Sequence, residues 1–395
     1  MNKLSVILRG SLRPLASLRL TVLCLLVGML LIFAGTLDQV HIGIHGAQEK
    51  YFRSFTTLWK IPGLAFGNFH FGYLPLPGGY LIGSILLINL LAAHIARFRL
   101  LWRQIGILLI HIGIMLLLIG ELLTGLLAEE SVMNLDEGER SSYSESNRKT
   151  ELVFIREIDG NKEQVVAIPE KMLENSEGET LHHPLLPFSL HIEKFMANAE
   201  LKLRTENASA LPSGATTGIG VQVTASRKAR SGKPDEQDST TALVELRAED
   251  DGKLGKWLFS KNLRVQSFKY GGNTFFMSVR RQRSYKPFTL ELVDFTHDRY
   301  AGTNIPKNFS SKLRLIHPAA GVNREVLVFM NNPLRYGGYT FYQQGFDNND
   351  TTSILQVVRN PAWIMPYASC TMVGVGLIIQ FGMHLVRFSR RRRKP

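Results

Sequence analysis

Four long apolar segments constrain this chain more than any other feature of its sequence. They run from Leu20 to Leu37, from Tyr80 to Ala96, from Ile105 to Leu127 and from about Ala368 to Val386. Each approaches the roughly 20 apolar residues that a helix needs to cross the hydrocarbon core of a bilayer. The pattern predicts an α-helical membrane protein with four transmembrane helices.

Three basic segments that contain no Asp or Glu lie at alternate ends of these predicted helices. Their cations are Lys3, Arg9, Arg13 and Arg19 before the first helix, Arg97, Arg99 and Arg103 between the second and third, and Arg387, Arg390, Arg391, Arg392, Arg393 and Lys394 in the tail. These 13 residues account for the whole formal net charge of +13. Because Lys and Arg favour cytoplasmic segments, both termini are expected in the cytoplasm, and no nucleic-acid partner is expected.

The first apolar segment also resembles the apolar part of a cleaved signal peptide. Two small residues, Ala34 and Gly35, follow the run from Leu20 to Phe33. The basic stretch before it is long, however, and removing it would leave the other helices less consistent with the charge pattern. We therefore favour a helix that is retained in the cytoplasmic (inner) membrane.

Residues 128–361 are predicted to form a large all-β domain on the extracytoplasmic, periplasmic side of that membrane. Its apolar segments are short, rich in β-branched and aromatic residues, and separated by Gly, Asn, Asp and Pro. They are LVFIREI, QVVAI, FSLHIEKF, GVQVTA, ALVELRA, FFMSVR, FTLELVDF, KLRLI and EVLVFM. Sheets of this kind bury one apolar face against another, which favours a β-sandwich. The domain separates residues 1–127, with three helices, from residues 362–395, with the fourth helix and the basic tail.

Two motifs occur twice within the predicted β-domain. The sequence PFSL at 187–190 recurs as PFTL at 287–290, and YGGNTFF at 270–276 recurs as YGGYTFY at 336–342. The recurrence predicts a duplicated β-sandwich-like unit spanning about 187–276 and 287–342. The first copy is longer because of a stretch at about 205–240, which has few apolar residues and is predicted to be a mobile loop.

Ionisable side chains inside the predicted helices are the strongest signals of a functional site, because such groups are costly in hydrocarbon unless they have partners. They are His94, His111, Glu121 and His384. His94 and His384 each lie three residues from a boundary arginine, so we favour side chains that reach the membrane interface. His111 lies eight residues beyond Arg103. That places it about 12 Å along the helix, too deep to reach water easily.

Several chemical roles are open to an imidazole at that depth. His111 can ligate haem iron, relay a proton or form a hydrogen bond with a neighbouring helix. Glu121 is nearer the outer end and is expected to mark the interface. His41 and His45 have the i, i+4 spacing of a metal chelate, but without a third ligand we favour an interfacial pair.

The rest of the sequence contains no motif for autonomous catalysis. No Ser/His/Asp group, phosphate-binding loop or acid/base pair of carboxylates is recognisable. Both cysteines, Cys24 and Cys370, lie in predicted helices, so no disulfide framework, CxxC pair or c-type haem attachment motif exists.

Several stretches resemble the ResB-like family, also called CcsB, of cytochrome c biogenesis proteins. They are SLRL at 17–20, GTLDQ at 35–39, DFTHDRYAGTNIPKNFSSKLRL at 294–315, NNPLRYGGYTFYQQGF at 331–346 and the helix that follows Asn360 and Pro361. The resemblance covers nearly the whole chain. That family is similar in architecture as well, with three helices, a large outer domain and a fourth helix.

The resemblance implies a subunit of a System II cytochrome c maturation complex that moves reduced haem b across the membrane and presents it to apocytochrome c. The expected partners are a CcsA (ResC)-like haem-handling membrane protein, apocytochrome c and a thiol-reducing thioredoxin-like protein. A histidine early in the third helix is considered a haem ligand in that family, and His111 is at the matching position. We add His94 and His384 as further candidate haem-binding residues.

The tryptophan pattern limits what this chain is expected to do alone. Trp59, Trp102, Trp257 and Trp363 are scattered, whereas the family's CcsA partner carries a tryptophan-rich loop that handles haem. Thioether formation is therefore not expected from this subunit by itself. Two other hypotheses remain: a structural anchor or chaperone that never contacts haem, and a membrane oxidoreductase using His111 and Glu121. The second needs a redox centre that the two cysteines do not supply.

Overall fold

The computed structural model describes residues 14–60, 73–97, 102–159, 162–204, 214–231, 237–248, 252–300, 302, 306–347 and 351–392. These residues group into two compact units. One contains the described residues up to 129 together with 359–392, and the other contains the described residues within 130–358.

The first unit is built from four long apolar helices. They are α1 at Leu18–Ala47, α2 at Gly79–Arg97, α3 at Ile105–Leu127 and, after the second unit, α5 at Met365–Arg392. Each is long and apolar enough to cross a membrane. Helix α1 extends beyond the predicted segment that ends at Leu37, and its regular backbone is broken at Gly43, where φ is 73°.

The described residues between α1 and α2, 48–60 and 73–77, form a small cap. A π-helical turn at Gln48–Phe52 leads into an antiparallel hairpin of β1, Thr56–Lys60, and β2, Tyr73–Pro77. The buried Tyr51 hydroxyl donates a 2.6 Å hydrogen bond to Asp38 Oδ2. Burial raises the pKa of Tyr51, and the bond to Asp38 raises it further. Asp38, part of the GTLDQ motif, therefore ties the end of α1 to the cap.

Helices α3 and α5 pack closely along a row of small residues. Gly106, Gly113 and Gly120 are spaced seven residues apart on α3. A Cβ atom added at Gly113 would lie 2.7 Å from Val373 Cγ2, and one added at Gly376 would lie 2.7 Å from the carbonyl oxygen of Gly106. The glycines thus let the two backbones approach, as is typical of helices that associate in membranes.

The second unit is a large β-rich domain with antiparallel sheets, as predicted. Its strands are β3 Glu129–Asp136, β4 Arg140–Asp159, β5 Lys162–Pro169, β6 Thr180–Leu181, β7 Phe188–Met196, β8 Ala199–Leu203, β9 Val223–Arg227, β10 Thr241–Ala248, β11 Lys253–Ser260, β12 Gln266–Tyr270, β13 Asn273–Arg299, β14 Pro306–His317, β15 Val322–Phe329, β16 Leu334–Tyr336, β17 Tyr339–Asp347 and β18 Thr352–Arg359. A short helix, α4 at Glu170–Asn175, follows β5. Eight of the nine predicted apolar segments lie in these strands, apart from Met330 at the end of EVLVFM, and the ninth, GVQVTA at 220–225, begins in a 3₁₀ turn and ends in β9.

Two large apolar cores lie within the described part of this unit. The first lies between a four-stranded sheet, ordered β11-β10-β7-β6, and strands β4, β5 and the first half of β13. The second is formed by the second half of β13 with β3, β14, β15, β17 and β18. Strand β13 runs through both cores, and its pairing with β4 shifts register between Tyr285 and Leu290. The two predicted segments FFMSVR and FTLELVDF are therefore parts of one bent strand.

The recurring motifs occupy similar surroundings in the two cores. Phe188 packs edge-to-face against Tyr270, with ring centroids 6.2 Å apart, and Phe288 packs in the same way against Tyr336 at 5.0 Å. Both glycines in each Tyr-Gly-Gly turn have positive φ, which suits a two-residue hairpin. These contacts favour a duplication of the unit, which stays a prediction.

The prediction of a mobile loop at about 205–240 is wrong for residues 214–231. This part contains a 3₁₀ turn at Ile219–Gln222 and strand β9, which pairs with β8. Val223 is buried against Leu243 and Leu258. The loop prediction averaged composition over the whole stretch, whereas one apolar strand within it is enough to form a small core. Residues 205–213 and 232–236 lie outside the described residues.

Candidate functional site

The structure brings together two histidines from different helices. His94 on α2 and His111 on α3 are both half-buried, and their ring centroids are 5.2 Å apart in an edge-to-face arrangement of 79°. His94 lies near the end of α2 at Arg97, and His111 lies near the start of α3 at Ile105. Two helices joined by a short turn pack as antiparallel neighbours, so residues at similar distances from the turn come together.

A hydrogen bond defines which nitrogen of His94 carries a proton. His94 Nδ1 lies 3.0 Å from the carbonyl oxygen of Leu90. A carbonyl oxygen only accepts, so Nδ1 carries the hydrogen of this bond, and in the neutral ring the lone pair is then on Nε2. A neutral imidazole with one nitrogen tied to a backbone carbonyl and the other carrying a lone pair is the usual metal-ligating form.

The chemistry of this pair suits haem iron better than a protein-bound zinc ion. Imidazole is a common axial ligand of haem iron, and apolar helix surfaces match the porphyrin ring. Within the described residues, no cluster of three or more His, Cys, Asp or Glu side chains is present, as a structural zinc site requires. His94 and His111 are thus the side chains that would hold a haem iron in this unit.

His384 lies away from this pair. It is exposed on α5, and its Nε2 lies 2.9 Å from Nε2 of Gln380. Gln380 packs against Gly106 at the start of α3. Helices α3 and α5 are antiparallel. His111 therefore lies on one side of the contact between Gly106 and Gln380 along the helix axis, and His384 lies on the other side. Nine residues of helical rise separate them by about 13 Å along the axis. A haem-binding role for His384 stays a prediction that this geometry does not favour.

The remaining ionisable candidates are peripheral. Glu121 is exposed on α3, which fits the expected interfacial position. His41 is exposed on α1, and the side chain of His45 lies outside the described residues. Gly43 interrupts the regular helix between them. The i, i+4 chelate geometry requires an unbroken turn, so this histidine pair gains no support as a metal site.

Asn89 is a polar residue that the sequence reasoning did not consider. It is buried on α2, and its amide nitrogen donates to the carbonyl oxygen of Ser17 at 3.1 Å. The Thr21 hydroxyl donates to Asn89 Oδ1 at 2.6 Å. Such hydrogen bonds between helices hold α1 against α2. A search of the apolar segments for all polar residues, rather than ionisable ones, would have found it.

The described residues thus form four helices that are each long and apolar enough to cross a membrane, with a histidine pair between two of them and a β-rich domain inserted before the last helix. The family model described as "ResB-like family" matches residues 92–354, more than half of the chain. The chain therefore belongs to the ResB-like family, and this membership supports a role in cytochrome c biogenesis.

One curated relative matches part of the chain. Protein NrfI of Wolinella succinogenes is 35% identical over 92 residues, which are 23% of this chain and 10% of NrfI. The chain thus covers about a tenth of the length of that relative. Such a match supports kinship without transferring the activity of the whole NrfI protein.

Proposed function

We propose that this chain is a subunit of a System II cytochrome c maturation complex, which holds reduced haem b during its passage across the cytoplasmic membrane and presents it to apocytochrome c. The observation that carries this proposal is the contact between His94 and His111 inside an apolar helix bundle. Haem is the substrate here, and family membership supplies the biological context.

The proposed path begins near the basic turn between α2 and α3. Positively charged turns favour the cytoplasmic side, so the histidine pair lies near the face from which haem enters. His111 ligates the iron, and His94, with its Nε2 lone pair, is the second ligand or the residue that receives the iron next. The apolar helix surfaces keep water from the reduced haem. The β-domain lies on the extracytoplasmic side as a duplicated β-sandwich-like unit.

This subunit acts with partners. A CcsA (ResC)-like membrane protein completes the haem path, and a thioredoxin-like protein keeps the apocytochrome thiols reduced. Thioether formation is assigned to the whole complex, because the helices of this chain carry two cysteines and no redox centre. The chain therefore acts as a non-autonomous subunit.

The test is a His111→Gly variant produced with its partner protein. We expect haem that copurifies with the complex, measured from its absorption spectrum, to fall at least several-fold, with a matching loss of mature cytochrome c. Added imidazole should enter the vacated position, ligate the iron and partly restore both signals, because a lost ligand can be replaced in this way. A packing defect would not respond to imidazole.

His384→Gly is the matched control, because it removes an exposed histidine from another helix of the same unit. We expect this variant to retain nearly all of its haem. Normal haem content and cytochrome c maturation in a His111→Gly variant that accumulates normally would contradict the ligand role. That result would favour the alternative, a structural anchor or chaperone that does not contact haem.

A further inference from the structure

The cap between α1 and α2 exposes an apolar surface. In β1, Leu58 is 56% exposed, whereas the residues on either side of it are buried. Leu58 pairs with Pro75 of β2, which is also exposed, and Tyr73 is exposed on the same side of that strand. Phe55, just before β1, is exposed as well. We name these four residues, Phe55, Leu58, Tyr73 and Pro75, the cap surface.

Contacts place the cap beside α1 and beside the ends of α2 and α3. The Trp59 ring packs edge-to-face against Phe33 of α1, with centroids 6.2 Å apart. The Phe55 ring lies 6.0 Å from the ring of Tyr80, the second residue of α2. A Cβ atom added at Gly125, near the end of α3, would lie 3.2 Å from the Tyr80 hydroxyl. Both of these helix ends are opposite to the basic turn that joins α2 and α3.

The cap lies alongside the apolar part of α1 and not beyond its end. A Cβ atom added at Gly35 would lie 3.3 Å from the Phe52 ring of the cap. Gly35 precedes the break at Gly43 by about 12 Å of helical rise, so the chain folds back after Gly43. Phe33 and Leu37 of α1 are exposed, and the apolar surface of this helix therefore continues into the cap surface.

Paired and exposed charges accompany these apolar side chains. Lys50 Nζ of the cap lies 2.7 Å from Asp38 Oδ2 of α1. Lys60 is exposed at the end of β1, where it pairs with Tyr73 in the ladder. Charged groups are costly in the hydrocarbon core of a bilayer, whereas aromatic rings and lysines are both accommodated at its boundary with the headgroups. The combination in the cap therefore matches this boundary.

We propose that the cap is an interfacial anchor, in which the cap surface contacts the phospholipids of the leaflet opposite to the basic turn. The proposal rests on the proposed function, which places the four helices in a membrane. Phe55 and Leu58 contact the upper parts of the acyl chains, Tyr73 lies at the level of the headgroups, and the Lys60 ammonium extends to the phosphates. The anchor holds the start of α2, the helix that carries His94, at a defined depth.

Spin labels on the full-length chain test the proposal. Cys24→Ala and Cys370→Ala remove both native thiols, and Leu58→Cys or Tyr73→Cys then provides a single site for a nitroxide. The labelled chain is placed alone in phospholipid nanodiscs. Oxygen concentrates in lipid and a water-soluble nickel chelate stays in water, so their relative access to the label reports its depth. For both labels we expect the ratio of oxygen to nickel access to exceed that of a label in water several-fold.

Two further labels calibrate the measurement. Leu327→Cys is the matched control, because Leu327 is a 51% exposed leucine on an antiparallel strand, β15 of the β-rich unit. Its label should be reached mainly by the nickel chelate. Met29→Cys, at an exposed position within the apolar span of α1, should be reached mainly by oxygen. If the Leu58→Cys variant does not accumulate, Pro75→Cys labels the paired position.

The outcomes separate this proposal from the proposed function. Nickel access at positions 58 and 73 that equals access at 327, with oxygen access at 29, would refute the anchor and leave the proposed function standing. Nickel access at position 29 as well would contradict both. When the CcsA (ResC)-like partner is added to the nanodisc, the lipid signal should persist. Loss of access to both reagents in that complex would show that the partner covers the cap surface, and it would overturn the proposal.

Discussion

Glu245 shows how a single buried charge is accommodated in the four-stranded sheet. Its side chain is 3% exposed, and its carboxylate lies 2.6 Å from Arg247 Nη2 and 3.4 Å from Lys253 Nζ. Burial acts to raise the pKa of Glu245, but the hydrogen bonds from Arg247 and Lys253 outweigh burial and hold the pKa below its usual value of 4.5. The ionised form is therefore favoured in the folded domain.

This shift predicts an acid-sensitive contribution to stability. A lowered pKa in the folded state means that the contribution is present above the unfolded pKa, near 4.5, and is lost as the pH falls through the folded value. Glu245→Gln should remove this pH dependence and destabilise the domain by about 1–3 kcal/mol at neutral pH, because hydrogen bonds to a charged group are lost. Thermal unfolding of the purified protein between pH 7 and pH 3 measures both effects.

Glu200→Gln is the control for that measurement, because the Glu200 side chain is 54% exposed in its ion pair with Lys202. An exposed pair of this kind contributes little, so its loss should leave the pH profile unchanged. A Glu245→Gln variant that follows the wild-type profile would show that the carboxylate does not stabilise the folded sheet.

At the scale of elements, the contact between α3 and α5 depends on glycine. Leu at position 376 would collide with the Gly106 carbonyl and with Ile110, whereas Gly374, two residues earlier on the same helix, has no atom within 4 Å of an added Cβ. Gly376→Leu should therefore destabilise the helix bundle by about 1–3 kcal/mol, while Gly374→Leu should have little effect. Thermal stability and protease resistance in detergent compare the two. Equal behaviour would mean that α3 and α5 do not pack in this register.

For the whole molecule, the basic segments predict a topology with both termini and the turn near Arg99 in the cytoplasm. Reporters that are active only outside the cytoplasm should give a signal when fused within 38–79 or 128–361 and none when fused at the C-terminus. A fusion near residue 225 is the most informative, because this position lies in β9, far along the sequence from both ends of the β-rich unit. A cytoplasmic signal from that position would contradict the topology and the haem path built on it.

Local patterns were sufficient to predict most elements. Helix α3 has the predicted bounds, Ile105–Leu127, because hydrophobicity over 23 residues depends on nothing outside the segment. Eight of the nine apolar segments form strands for the same reason, since alternation of side chains within a strand is a local property. Neighbouring residues alone were likewise sufficient to identify the basic turns, the two recurring motifs and the depth of His111 in its helix.

Tertiary structure decided what depends on which elements become neighbours. His94 was interpreted as an interfacial residue by its distance from Arg97, yet the packing of α2 against α3 puts its ring beside His111. The rings of His297 and Phe346, nearly 50 positions apart in the sequence, touch because β13 and β17 contribute to one core. Strand β9 contains the end of the predicted segment GVQVTA, and the burial of its Val223 against Leu243 and Leu258 holds it in the fold. Such contacts link distant parts of the chain, so no local pattern encodes them, and the free energy of burying them together selects the arrangement.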